Sequence, residues 1–159
     1  MRRTLLYFIL ILLLAGLAST LPPAKGAEGQ RLPVGPLVVE NERGRHQFRV
    51  ELAANEDQRS RGLMFRREMA ADAGMLFDFH VAQLVAFWMK DTFIPLDMIF
   101  IKENGRVAGV AKRTVPHSTA TVPSPEPVRA VLEVNAGVSD RLGIKAGDLV
   151  RHNIFGNMR

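Results

Sequence analysis

Apolar and polar positions alternate along "HQFRVELAA", residues 46–54, where Phe48, Val50, Leu52 and Ala54 fall between Gln47, Arg49 and Glu51. A period of two places the apolar set on one face of a strand and the charged set on the other, so this segment predicts a strand with one solvated side. "LVVEN" at 37–41 precedes it, and Asn41-Glu42-Arg43-Gly44 supplies turn chemistry between the two runs, predicting a hairpin. The period then changes. Asn55 can cap a short helix, Gln58 holds the capping-box position and Gly62 can end it, so "NEDQRSRG" predicts two helical turns.

Beyond that helix come runs of strand length, rich in Val, Ile, Phe and Met: "GMLFDF" at 74–79, "LVAFWMK" at 84–90, "LDMIFIK" at 96–102, "RVAGVAK" at 106–112 and "VRAVLEV" at 128–134. Glu103-Asn104-Gly105 is a strong hairpin signal between two of them. "LDMIFI" is apolar at nearly every position, as a central strand buried on both faces would be. A second short helix near 138–142, closed by Gly143, leads into a last strand, "DLVRH". The segment "TVPHSTATVPSPEPV" at 114–128 carries Pro116, Pro123, Pro125 and Pro127 and predicts a long loop, because proline has no amide to give a ladder. About eight short strands, two small helices and no β-α-β rhythm predict a mainly β (α+β) domain, a compact antiparallel sandwich or barrel-like fold.

The amino terminus follows a different pattern. Met1-Arg2-Arg3 precedes the apolar block "LLYFILILLLAGL" at 5–17, which reads as a signal peptide processed between Ala18 and Ala27, or else as an uncleaved membrane anchor. The organisation expected is residues 1–27 as leader or anchor, 28–36 as a flexible tether and 37–159 as a single β-rich domain. Either reading of the leader places the domain outside the cytoplasm, in the periplasm or beyond, with the membrane reached only through the N-terminal segment. There is no cysteine, so stability must come from core burial rather than disulfides, and thiol catalysis is excluded.

Composition narrows the chemistry further. The 21 basic and 16 acidic residues give a formal charge of +5, but Arg2, Arg3 and Lys25 belong to the leader, so the remainder is balanced 18 to 16. Such interspersed charge predicts no nucleic-acid partner. No phosphate-binding loop, dinucleotide fingerprint, nucleophile elbow or zinc-protease motif occurs. His46, His80, His117 and His152 are dispersed, and Met64, Met69, Met75, Met89 and Met98 lie in apolar runs as core residues do, so neither metal nor cofactor is expected.

The charged interruption of an apolar stretch remains. In "FWMKDTFIPLDMIFI", Trp88 and Lys90 would share a strand face, Lys90-Asp91-Thr92 forms a corner before Pro95, and Asp97 enters the next strand. In "VRAVLEVNAG", Arg129, Val131, Glu133 and Asn135 fall on one face, where Glu133 pairs with Arg129 or points with Asn135 into a site. Arg61, beside "GLMF", adds a cation. The candidate site is therefore Arg61, Trp88, Lys90, Thr92, Asp97, Glu133 and Asn135, with Trp88 as apolar wall, Arg61 and Lys90 holding an anionic group, and the remaining groups exchanging hydrogen bonds.

"RSRGLMFR" at 59–66, "DAGMLFDF" at 72–79, "FWMKDTFIPLDMIFI" at 87–101, "VLEVNAG" at 131–137 and "LGIKAGDLV" at 142–150 resemble, in order and spacing, the bacterial and archaeal family called domain of unknown function 192. The resemblance covers residues 37–152 and implies a mainly β, barrel-like domain, often exported; it carries no established reaction with it. That family usually has Asn where this chain has Asp91, and an ionised Asp can only accept hydrogen bonds. The function expected is a small-ligand or protein-partner binding module. The alternatives are an envelope-associated hydrolase using Asp97 or Glu133 as base, and a purely structural envelope protein.

Overall fold

The computed structural model describes residues 32–158; the leader, its processing region and residues 28–31 of the tether lie outside the described residues. In chain order the elements are β1 (Val34–Asn41), β2 (Gly44–Ala53), α1 (Glu56–Arg61), β3 (Ala73–Gln83), β4 (Ala86–Phe87), β5 (Leu96–Ile101), β6 (Val107–Thr114), β7 (Val122–Pro123), β8 (Val128–Asn135), α2 (Val138–Leu142) and β9 (Leu149–Arg151). The domain is mainly β, as the alternating runs predict, and none of its described helices is long and apolar enough to cross a membrane. β1 starts at Val34, so 34–36 are strand rather than tether: Val34, Gly35 and Pro36 pair with Glu51, Val50 and Arg49. Pro36 is tolerated because β9 reaches only Val38–Glu40 on the other side of β1, leaving the proline on a free edge.

Seven strands form one sheet in the order β6-β5-β8-β3-β2-β1-β9. It curls into a half-barrel whose edges meet at one end, where Arg106 bridges Leu149 and the Val107 and Val150 amides donate to Asp148 O and Gly105 O at 2.9 and 2.8 Å. Every neighbouring pair is antiparallel except β2 and β3, which run parallel with α1 in the connection between them. That single β-α-β unit corrects the expectation of none. A six-residue helix followed by an irregular stretch suffices for the crossover, and it leaves too faint a periodicity to read.

Two apolar layers follow from the curl. The inner one gathers Leu37, Val39, Phe48, Val50, Leu76, Ile99, Ile101, Leu132 and Val134 inside the half-barrel, against Val138 of α2 and Ile144. The outer one lies on the opposite face of β3, β5 and β8 and contains Met75, Phe77, Met89, Leu96, Met98, Phe100 and Val131 with Leu63. β5 is buried at all six positions, as a strand covered on both sides must be. Gly74 lets β3 and β8 approach this closely: a Cβ there would stand 2.7 Å from Glu133 O.

The outer layer is roofed by α1, the Lys90-Asp91-Thr92 corner and the proline-rich loop. The run 84–90 is a strand only at Ala86–Phe87, which pairs with Val122–Pro123 of the loop, a correction at both places. Two of its other amides go to that loop instead of the sheet: Val85 N–H donates to Ser124 Oγ at 3.1 Å, and Met89 N–H donates to Ser118 O at 2.9 Å.

Candidate functional site

α1 forms because its ends are satisfied locally. The Gln58 amide donates to Asn55 Oδ1 at 2.9 Å and the Asn55 amide to Gln58 Oε1 at 3.2 Å, the reciprocal capping box, and Gly62 closes the helix with φ +46°. The helix is thereby held over the sheet with Arg59, Ser60 and Arg61 at the rim of a cavity of about 460 Å³. Leu63, Met64, Phe77, Phe79, Phe87 and Trp88 supply its walls, and Thr92 and Glu133 also line it. Phe87 packs edge-to-face on Phe77 and Phe79, with ring centroids 5.1 and 6.2 Å apart.

Glu133 sits on the outer face of β8, directly opposite Met75 of β3 and Met98 of β5, and only 4% of it is exposed. Thioethers on both sides offer its carboxyl no charge and only weak hydrogen-bonding, and among the described residues no side chain or amide bonds to it. Burial alone pushes its pKa from 4.5 up to about 8. At neutral pH it is therefore chiefly a protonated acid facing a cavity. The expected pairing with Arg129 does not occur: the Arg129 Nε donates to Asp78 Oδ1 at 3.3 Å, on a buried carboxylate that also receives the His80 amide at 2.8 Å.

Four of the sequence candidates, Arg61, Trp88, Thr92 and Glu133, meet at this cavity. Lys90 does not line it; its ammonium lies 5.4 Å over the Trp88 ring on the exposed side, so the two are neighbours through a tight turn rather than a shared strand face. In that turn the Thr92 amide donates to Met89 O, and Asp91 takes the left-handed φ of +54° that Asn and Asp adopt most readily among non-glycine residues. Asp91 meets this backbone requirement as an Asn would, so the turn forms without a side-chain donor at that position. Thr92 Oγ1 donates to Lys90 O at 3.2 Å and keeps acceptor capacity toward the cavity.

Asp97 and Asn135 are elsewhere. Asp97 is fully buried on the inner face of β5, where its carboxylate accepts the amides of Arg113, Gly137 and Ser139 at 2.8, 3.0 and 2.9 Å. It ties β6 and the start of α2 to the central strand, on the opposite side of the sheet from Glu133. The expected general-base role for Asp97, and its convergence with Glu133, thus has no geometric basis. Asn135 spends its side-chain amide on Met69 O and Ala70 O, at 2.9 and 3.1 Å, anchoring the connection into β3.

Sequence reasoning missed Arg59, Phe77, Phe79 and Phe87. Phe77 and Phe79 continue the period-two row of Met75, which was the available signal. Arg59 is held by Nη1 donating to Ala54 O and Asp78 O at 2.8 and 2.9 Å, with its guanidinium 5.2 Å above the Phe79 ring. Among the described residues no three His, Asp or Glu side chains are grouped to hold a metal ion.

The family model described as DUF192, Uncharacterized ACR, matches residues 38–152. The chain belongs to that family. A solved structure from Sinorhizobium meliloti 1021, named as a candidate transcription regulator, is 44% identical, with a TM-score of 0.75 over 77% of this chain and 96% of that one. A protein of unknown function from Novosphingobium aromaticivorans DSM 12444 is 40% identical, with a TM-score of 0.76 over 79% of this chain and 90% of that one. No functionally curated protein matches.

Proposed function

We propose that this DUF192 domain is a small-ligand binding module whose site is the cavity over the outer face of β3, β5 and β8, and that the N-terminal leader delivers it to work outside the cytoplasm. The observation that carries the reading is Glu133. Drawing a carboxyl out of water to open only on a cavity costs stability, and an apolar residue would pack better between Met75 and Met98. A ligand group that satisfies it explains why it is there. Aromatic and aliphatic walls that alternate with the polar groups of Arg59, Arg61, Thr92 and Glu133, in a volume of about 460 Å³, can enclose and orient a small molecule.

The regulator role named for the S. meliloti relative gains no support from charge, since the chain after the leader is balanced 18 to 16 with cations and acids interleaved. Thermal-shift screening of the protein against sugars, amino acids, nucleotides, peptides and envelope fragments tests the proposal. A ligand of this site raises the melting temperature of the wild type and loses that effect in Glu133→Gln and Trp88→Ala. Hits that stabilise both variants as well as the wild type would show that the cavity is not the site.

A further inference from the structure

The cavity's polar groups are placed unequally. On its floor stands Glu133, unpartnered among the described residues and flanked by methionines. At its mouth stands Arg61, exposed on the last turn of α1, with no acidic partner among the described residues and only the Phe65 ring beneath it at 6.0 Å. Arg59, the other lining cation, turns its Nη1 toward two backbone carbonyls. The rings of Phe77, Phe79, Phe87 and Trp88 line the same cavity, from buried Phe77 to half-exposed Trp88.

This order argues against a simple anion, which would find its free cation only at the mouth and an acid on the floor. It argues equally against a wholly apolar guest, which would leave Glu133 unsatisfied. We infer that the cavity receives a free, amino-acid-like zwitterion, its ammonium held by Glu133 among the aromatic rings and its carboxylate reaching Arg61. The inference rests on the cavity being a ligand site and specifies that ligand's class. Ring faces stabilise a desolvated ammonium, and the carboxylate of Glu133 supplies the counter-charge that buried cations require. Because the free acid holds a proton at neutral pH, binding the ammonium expels that proton to solvent and leaves Glu133 ionised.

The titratable neighbours do not obscure this linkage. The other charged lining groups are Glu56, Arg59 and Arg61, all from α1, and the strands on either side of Glu133 present Met75 and Met98. Trp88 is the only tryptophan in the chain and lines the cavity, so its fluorescence reports occupancy directly.

The probes are phenylalanine, N-acetylphenylalanine, which lacks the ammonium, and phenethylamine, which lacks the carboxylate, each titrated at pH 6 and pH 8. Phenylalanine is expected to bind at least tenfold more tightly than either analogue. Its affinity should rise about 50-fold from pH 6 to pH 8, because an acid titrating near 8 is roughly a hundredth ionised at the lower pH and half ionised at the higher. Glu133→Gln, nearly isosteric and expected to fold, should abolish that rise, and Arg61→Gln at an exposed position should make phenylalanine and phenethylamine bind alike. N-acetylphenylalanine binding as tightly as phenylalanine, or phenylalanine weakening as the pH rises, would overturn the ligand class and leave the cavity as a site. Silence of all three probes would also overturn the class, while the broader thermal-shift screen separately decides whether the cavity binds anything.

Discussion

Two buried carboxylates on neighbouring strands of one sheet have opposite fates. Asp97 is surrounded by three backbone amides that stabilise its charge, and it serves as a joint between β5, β6 and α2. Glu133 has methionines beside it and a cavity in front of it, and burial raises its pKa to about 8. The sign of the linkage follows. An acid whose folded pKa lies above its unfolded value of 4.5 favours the folded state at low pH, and that advantage is lost as the pH rises through about 8. The change corresponds to roughly 5 kcal/mol at most. Glu133→Gln should therefore match the wild type near pH 4 and be the more stable protein at pH 9, as chemical denaturation at the two values would show. Equal stability at pH 9 would mean that the carboxyl is solvated.

At the scale of elements, α1 is a short helix that supports the rim of the cavity through its caps. Asn55→Ala removes the Asn55 half of the capping box and should cost about 1 kcal/mol in urea denaturation. It should also loosen Arg59 and Arg61, weakening binding at the cavity beyond the stability loss. The box was legible in the sequence, because it depends on Asn55, Gln58 and Gly62 within one short segment. So were the β1–β2 hairpin and the double burial of β5, each recorded in local spacing or composition. The run 84–90 was misread because its apolar residues suit a strand, while the partners of its backbone, Ser118 and Ser124, lie far along a loop with no period of its own. The parallel β2–β3 pairing depends likewise on a crossover that leaves no strong local mark.

The described domain, residues 32–158, is a half-barrel with a second apolar layer on its outer face, and that second layer carries the proposed site. Sequence periodicity shows that β8 has two faces but not which face is roofed. Asp97 and Glu133 therefore looked equivalent until the curl of the sheet put them on opposite sides. Arg61, Trp88, Thr92 and Glu133 converge because the capped helix, the turn at Asp91 and the proline-rich strap all close over the same strands. The protonation of Glu133 reports on that closure, since its pKa is raised by burial alone. The most direct measurement is a carbon-detected NMR titration of the Glu133 carboxyl in the ligand-free protein. A midpoint near 8 is the result the account predicts; a midpoint near 4.5 would mean that the acid is not buried and unpaired, and would contradict both the cavity as a site and the reason given for it.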